Sequence, residues 1–202
     1  KFCHVDIFCT FVSMKDILIL AATAMELQPF EGLEFETCVT GIGAGSTARV
    51  VTERLINFSP KLAIQVGIAG GLTKNLYLCE SVLVATDYQG DLGAWRGDRF
   101  EPFESEILKC PLATKFSLTS VSAISVNTAC TPIISRGSAQ IETMEGAAFF
   151  KAAQCCGVDF LQLRTISNYT DQGRESWKIR EAIEALRSSF DTLITEIKDY
   201  YP

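Results

Sequence analysis

The chain has 202 residues, of which 48% are hydrophobic and 21% are charged, so it can fill one sizeable core. Its formal net charge of −6 argues against a nucleic-acid partner, because phosphate backbones are bound mainly by clustered Lys and Arg. The apolar stretch at 17–22 is far shorter than the roughly 20 residues that a bilayer span requires. We therefore expect a cytoplasmic protein that binds neither nucleic acid nor a membrane.

The cysteine and histidine content argues against a metal site. The eight cysteines are scattered, the only histidine is His4, and no C-x-x-C or Cys/His cluster occurs, so we expect no metal ion. No cofactor is expected either, and most thiols are expected to be buried and reduced. The segment before Met14 lacks a clear signal-peptide pattern. We expect a single domain at 14–202, with 1–13 as a non-native or upstream extension.

Short apolar runs alternate with helical stretches along the chain, which predicts an α/β domain. Strands are predicted at 16–22, 35–40, 62–66, 81–86, 120–126 and 158–166, and helices at 46–58, 146–156 and 174–199. Ser46 is the predicted N-cap of the first helix, and Gly157 is predicted to end the second. Residues 86–116, which include Gly, Asp and Pro, are predicted to form a long functional or partly structured loop.

The predicted strands indicate how the layers are arranged. The run at 17–22 is continuously apolar, which is typical of a strand buried on both faces. We therefore expect a three-layer α/β/α fold with a central mixed, largely parallel sheet. Ligands bind at the strand ends of such sheets, so the segments 23–26, 67–71 and 167–169 are the expected functional region.

A glycine-rich turn at 40–45 follows a strand and precedes a helix, as a dinucleotide-binding turn would. Its third glycine comes one residue early for G-x-G-x-x-G, and no acidic residue ends a second strand about 20 residues later. The pattern disfavours an oxidoreductase and favours tight turn geometry. The glycines at 67–71 have the same interpretation, although a flexible backbone there also suits close approach to a sugar or base.

Two carboxylates, Glu142 and Glu145, precede a small, apolar helix start at Gly146. We expect the dipole and free amide groups of that helix to keep Glu145 ionised. The alternative for Glu145 is an ordinary cap or first-turn acid without a functional role.

Four segments, in order, resemble signatures of the purine nucleoside phosphorylase and nucleosidase superfamily. They are Ala-Ala-Thr-Ala-Met-Glu at 21–26, Val-Gly-Ile-Ala-Gly-Gly at 66–71, Met-Glu-Gly-Ala-Ala at 144–148 and Arg-Thr-Ile-Ser-Asn at 164–168. The resemblance spans residues 14–179. It implies a nucleoside substrate and at least a homodimer, in which a neighbouring subunit helps to close the pocket.

The resemblance also implies roles for individual residues. Glu26 activates the attacking water, while Glu145, with Met144 beside it, binds the ribose hydroxyls. Further substrate contacts are implied for Ile68, Ala69 and Gly70. Arg164 corresponds to a site residue of the nucleosidases, but an arginine in a strand could equally pair with Glu145 or Glu142. A nucleoside-binding module without catalysis is disfavoured, because a mere binder has little reason to retain Glu26.

Asn168, the second predicted catalytic residue, departs from the nucleosidases of adenine nucleosides, which carry Asp there. A 6-oxopurine offers acceptors at N7 and O6 that an amide NH₂ can satisfy, whereas an ionised Asp would oppose O6. Asn168 therefore indicates hypoxanthine as the leaving base. The segments 91–94, 166–169 and 176–179 also resemble a hydrolase of 6-oxopurine nucleosides. A nucleosidase of methylthioadenosine and S-adenosylhomocysteine is the alternative.

The expected nucleophile is water. Phosphate requires Arg or Lys donors, and phosphorylases of the superfamily place an arginine just before the glycine-rich strand end. This chain has Gln65 there, and no Arg or Lys accompanies Glu26 in the segment 23–26. The sequence therefore predicts hydrolysis of an N-ribosidic bond, with phosphorolysis as the alternative.

Overall fold

The computed structural model of the protein describes residues 13–130 and 137–201, and these contain ten strands and four α-helices. The strands are β1 (Ile17–Ala21), β2 (Glu36–Val39), β3 (Leu62–Gly71), β4 (Ser81–Asp87), β5 (Gly93–Arg96), β6 (Arg99–Pro102), β7 (Leu108–Lys109), β8 (Ser120–Ser125), β9 (Ile141–Thr143) and β10 (Asp159–Tyr169). The helices are α1 (Ala24–Leu27), α2 (Ala44–Phe58), α3 (Gly146–Cys156) and α4 (Ile179–Tyr200). Residues 1–12 lie outside the described part, so the domain boundary at 14 stays a prediction.

Eight strands form one mixed sheet in the order β10-β4-β8-β9-β3-β1-β2, with β7 paired to β4. An additional pairing of β3 with β10 closes β3, β10, β4, β8 and β9 into a ring. The pairings β1–β2, β1–β3, β3–β10, β4–β8 and β8–β9 are parallel. The predicted α/β fold with a mixed, largely parallel sheet is confirmed, whereas the ring was not predicted.

Apolar burial explains why these segments adopt their structures. All five residues of β1 are buried, as expected for a strand paired on both edges inside a layered domain. Helix α4 places its apolar residues three or four positions apart, which forms one continuous face. That face contains the buried Leu186, Phe190, Leu193, Ile194 and Ile197, and α4 packs on β3 and β10. Each such side chain contributes about 1.5–3 kcal/mol through burial.

Several predicted boundaries are wrong. β3 continues to Gly71, because its glycine-rich end still pairs with β9 and β10. Helix α2 begins at Ala44 after the N-cap Gly43, so Ser46 is not the cap. The third predicted helix starts later, because a 3₁₀ turn (Arg174–Ser176) precedes α4.

The segment 86–116 is more ordered than predicted, since it contains β5, β6, β7 and a 3₁₀ turn (Pro111–Lys115). The short elements α1 and β9 were not predicted. None of the helices in the described ranges is both long and apolar enough to span a membrane. Among the six described cysteines only Cys110 is buried, so the expectation of mostly buried thiols is wrong.

Candidate active site

A cavity of about 320 Å³ lies where the carboxyl ends of β1, β3 and β10 meet. This is the edge of a parallel sheet at which ligands usually bind. The predicted residues that line the cavity are Glu26, Ile68, Ala69, Gly70, Met144, Glu145 and Asn168. The fold therefore brings together residues that are up to about 140 positions apart in the chain.

Glu26 is held in the first turn of α1 by a capping box with Thr23. Its Oε2 accepts hydrogen bonds from the backbone N–H of Thr23 at 3.0 Å and from Thr23 Oγ1 at 2.8 Å. Its Oε1 accepts from the backbone N–H of Ile68 at 3.1 Å. A carboxylate has about four acceptor positions. These three donors therefore fix the carboxylate at the cavity wall and leave it able to accept from a water or a hydroxyl.

Gly67 lies against the proposed base and has a packing reason to lack a side chain. A Cβ at this position would lie 2.6 Å from Glu26 Oε1 and 2.6 Å from Arg164 Nη1. Both distances are shorter than a Cβ tolerates, so any side chain would displace one of these groups. Gly67 therefore allows two protein side chains, those of Glu26 and Arg164, to lie close to the backbone.

Glu145 is the N-cap residue of α3, but its side chain does not cap that helix. Its Oε1 accepts from the backbone N–H of Gly43 at 3.0 Å, and its Oε2 lies 3.7 Å from Arg164 Nη2. The first amide groups of α3 donate instead to the hydroxyls of Thr143 and Ser125. The expectation that the helix's own amides hold Glu145 is therefore wrong, since its partners come from distant segments.

Opposing influences act on the charge of Glu145. Burial raises its pKa, the guanidinium of Arg164 and the Gly43 N–H lower it, and the nearby Glu26 raises it further. Gly43 has φ of 88°, a conformation that favours glycine, and this geometry aims its N–H at the carboxylate. The glycine-rich turn at 40–45 is thus part of the site, although its sequence indicated only tight turn geometry.

Arg164 lies beneath the cavity and is 1% exposed. Its Nη2 donates to Gln65 Oε1 at 2.9 Å, and its Nη1 donates to the backbone oxygen of Ile68 at 3.3 Å. Of the two carboxylates considered as partners, it pairs with Glu145. Arg164 is absent from the described lining of the cavity, so it acts on this site by positioning Glu145. Gln65 is buried and serves as an acceptor for this arginine.

Asn168 is aimed into the cavity by an irregularity in β10. The register between β10 and β3 shifts between Ile166 and Asn168, which places Ser167 in a bulge. Ser167 Oγ donates to Asn168 Oδ1 at 2.8 Å, and Asn168 Nδ2 lies 3.8 Å from Cys130 Sγ. The amide therefore presents its NH₂ group, a hydrogen-bond donor, to a ligand.

Glu142 is a pocket carboxylate to which the sequence analysis assigned no role in binding. Gly70 pairs with Asn168 on one side and with Glu142 on the other, so these two side chains flank a glycine floor. Glu142 is 4% exposed, lines the cavity and accepts from the backbone N–H of Cys130 at 2.6 Å. Strand β9, which carries Glu142, was not predicted, so this pairing was not visible in the sequence.

The described ranges contain no group of three or more His, Cys, Asp or Glu residues arranged to hold a metal ion.

Comparisons with known proteins are consistent with this geometry. No family model matches the chain. A futalosine hydrolase of Thermus thermophilus is 27% identical over 88% of this chain and 92% of its own length. The structure of a futalosine hydrolase mutant of Helicobacter pylori has a TM-score of 0.73 at 19% identity, covering 89% of this chain and 98% of its own. The chain is therefore similar in sequence to one futalosine hydrolase and shares the fold of another.

A second nucleosidase has a similarly close fold. The 5′-methylthioadenosine/S-adenosylhomocysteine nucleosidase of Helicobacter pylori has a TM-score of 0.76 at 19% identity, covering 92% of this chain and 99% of its own. At this identity the likeness establishes the nucleosidase fold alone. The choice between substrates therefore depends on the residues of the cavity.

Proposed function

We propose that this nucleosidase hydrolyses the N-ribosidic bond of futalosine and releases hypoxanthine. The observation that carries the proposal is the convergence of Glu26, Glu145 and Asn168 on one cavity of about 320 Å³, a size typical of small-ligand sites. The Thermus thermophilus futalosine hydrolase, similar along almost its whole length, supports the substrate. We assign the reaction to menaquinone biosynthesis on the resemblance alone.

The ribose end of the cavity suits attack by water. Hydrolysis of an N-ribosidic bond passes through oxocarbenium character, so an activated water and nearby negative charge both lower the barrier. Glu26 takes a proton from the water whose oxygen bonds to C1′, while the base departs as an anion with the electrons of the C–N bond. This anion is stabilised by the N–H donor of Asn168 and takes a proton from solvent to become hypoxanthine. Glu145, held by Gly43 and Arg164, accepts hydrogen bonds from the ribose hydroxyls.

The base end of the cavity suits a 6-oxopurine. Asn168 Nδ2 donates to N7 or O6, and Glu142, across Gly70, accepts from the N1–H of hypoxanthine. A 6-aminopurine has an unprotonated N1, whose lone pair would oppose the carboxylate of Glu142. The amide and the carboxylate therefore both favour hypoxanthine over adenine.

The charges around the cavity favour water over phosphate. Three carboxylates line it, those of Glu26, Glu142 and Glu145, and they would repel an anionic nucleophile. Among the described lining residues Arg174 is the single Lys or Arg, and it is exposed. Arg164 donates a hydrogen bond to Gln65, and neither residue is in the described lining of the cavity, so this guanidinium does not face a nucleophile there.

We also propose a homodimer. Met25 and Ile42 line the mouth of the cavity and are 58% and 62% exposed. A neighbouring subunit that covered these apolar side chains would bury them and close the pocket.

A substrate panel tests the proposed function. The protein is incubated with futalosine, its 6-amino analogue, inosine and methylthioadenosine, with and without inorganic phosphate, and the free base is measured by chromatography. We expect the highest kcat/KM for futalosine and rates that are independent of phosphate. A preference for methylthioadenosine would support the alternative nucleosidase, and a ribose-1-phosphate product that grows with phosphate would indicate a phosphorylase.

A further inference from the structure

The cavity runs from a buried base end to an open mouth. Asn168 and Glu142 are 3% and 4% exposed, and Glu26 is 6% exposed, whereas Met25 and Ile42 at the mouth are more than half exposed. A nucleoside whose base reaches Asn168 and whose ribose lies at Glu26 therefore directs its 5′ substituent toward the mouth.

The mouth contains a cation next to an indole ring. Arg174 lies in the 3₁₀ turn that follows β10, and its guanidinium carbon is 5.9 Å from the centroid of the Trp177 ring. This separation is within the range of a cation–π contact. Both residues line the cavity. The turn is anchored, because the backbone N–H of Lys178 donates to the backbone oxygen of Ser167 at 2.7 Å.

Trp177 also has a buried donor without an acceptor. Its Nε1 is shielded from solvent and has no hydrogen-bond partner among the described residues. Buried donors are rarely left unsatisfied in native proteins, so rotation of the indole that brings this N–H to an acceptor in the cavity is favourable. Ile179 and Ile183 add apolar surface to the same wall.

We propose that Arg174 and Trp177 bind the carboxylate of an aryl group carried on the 5′ position of the substrate, an inference that rests on the proposed hydrolysis of futalosine. The benzoate-bearing 5′ extension of futalosine provides this chemistry. The guanidinium and the indole N–H are both donors only, and a carboxylate is an acceptor only, so the groups are complementary. The indole face and the two isoleucines pack on the aryl ring.

The charge distribution supports this position for an anion. Three carboxylates lie deeper in the cavity, at Glu26, Glu142 and Glu145, and they disfavour a negative group there. Arg174 supplies the positive charge at the mouth, where a 5′ carboxylate arrives. A small, neutral 5′-methylthio group gains nothing from this cation, so Arg174 selects for a carboxylate-bearing substrate.

The test compares two variants with three substrates. Arg174→Gln removes the charge, and Trp177→Phe keeps an aromatic ring but removes the N–H. The substrates are futalosine, its methyl ester, which is neutral and of nearly the same size, and inosine. The matched control is Lys178→Gln, because Lys178 is an adjacent exposed cation that pairs with Glu181 and is not among the residues that line the cavity.

We expect Arg174→Gln to raise KM for futalosine about 3- to 30-fold with kcat nearly unchanged, since a charge-assisted contact at an exposed site is partly screened. Trp177→Phe should raise KM for futalosine several-fold. Arg174→Gln should cleave the methyl ester within twofold of the wild type, both variants should do so for inosine, which has no 5′ aryl group, and Lys178→Gln should leave all three substrates unchanged. The preference of the wild type for futalosine over its ester should also shrink as salt rises.

Two outcomes overturn the inference while the proposed function stands. One is an equal loss on all substrates in Arg174→Gln, which would indicate a general structural role. The other is wild-type kinetics of that variant on futalosine. Failure of the wild-type protein to cleave any of the nucleosides would instead reject the proposed function itself, and this inference with it.

Discussion

Replacement of Glu26 by Gln removes the proposed base and also disturbs the hydrogen bonds that position it. The carboxylate accepts from the backbone N–H of Thr23, from Thr23 Oγ1 and from the backbone N–H of Ile68. A glutamine has one oxygen and one NH₂ group at these places. In either orientation its NH₂ therefore faces a backbone N–H, and one buried donor loses its acceptor.

Two separate magnitudes follow from this geometry. Loss of a general base lowers turnover by roughly 10²- to 10⁴-fold. One unsatisfied buried donor costs about 1–3 kcal/mol of the free energy of unfolding. For a chain of this size, each kcal/mol shifts Tm by about 2–4 °C, so Tm should fall by about 2–12 °C.

The assay measures kcat and KM for futalosine together with Tm by calorimetry. Thr23→Val is the matched control, because it removes the hydroxyl donor and the helix cap but keeps the carboxylate. We expect a comparable loss of Tm in the control, with kcat within about tenfold of the wild type. A folded Glu26→Gln variant with wild-type kcat would refute the assignment of Glu26 as the base.

Three further predictions concern the base end of the cavity and one buried acid. Asn168→Asp should shift the ratio of kcat/KM from futalosine toward its 6-amino analogue by roughly 5- to 150-fold, because an anion replaces a donor near O6 while a carboxylic acid can protonate N7. A ratio unchanged within twofold would mean that Asn168 has only a structural role. Glu142→Gln should shift the same ratio in the same direction, whereas Glu145→Gln, the matched control, should lower kcat/KM for both substrates in parallel. Equal ratios in the two variants would contradict the role of Glu142 in reading N1. Burial raises the pKa of Asp87 to about 7 from 3.8, so the native state binds its proton more tightly than the unfolded state, and stability falls as pH rises from about 4 to 7. Asp87→Asn should remove about 3 kcal/mol of this dependence between pH 5 and pH 8, measured as the difference between wild type and variant in urea denaturation at these two pH values. Parallel curves for the two proteins would contradict the prediction.

Local patterns carried much of the information about this fold. The apolar run of β1 and the helical spacing of α4 were evident because burial on two faces or on one face imposes a period on the sequence itself. The end of α3 at Gly157 was evident for a similar reason, since the left-handed conformation there, with φ of 65°, favours glycine. Glu26 and Asn168 were named through a family resemblance.

The tertiary structure decided which groups these residues contact. Glu145 bonds to the N–H of Gly43, which is 102 positions away in the chain, and a backbone donor leaves no trace in residue type. The bulge at Ser167 aims Asn168, and the shared pairing with Gly70 sets Glu142 opposite it. Such contacts depend on strand register, and a shift by one residue would turn each side chain to the other face of the sheet. The sequence by itself thus determined which elements form and which residue types the chemistry requires, while strand register and ring closure determined which of those residues meet in one cavity.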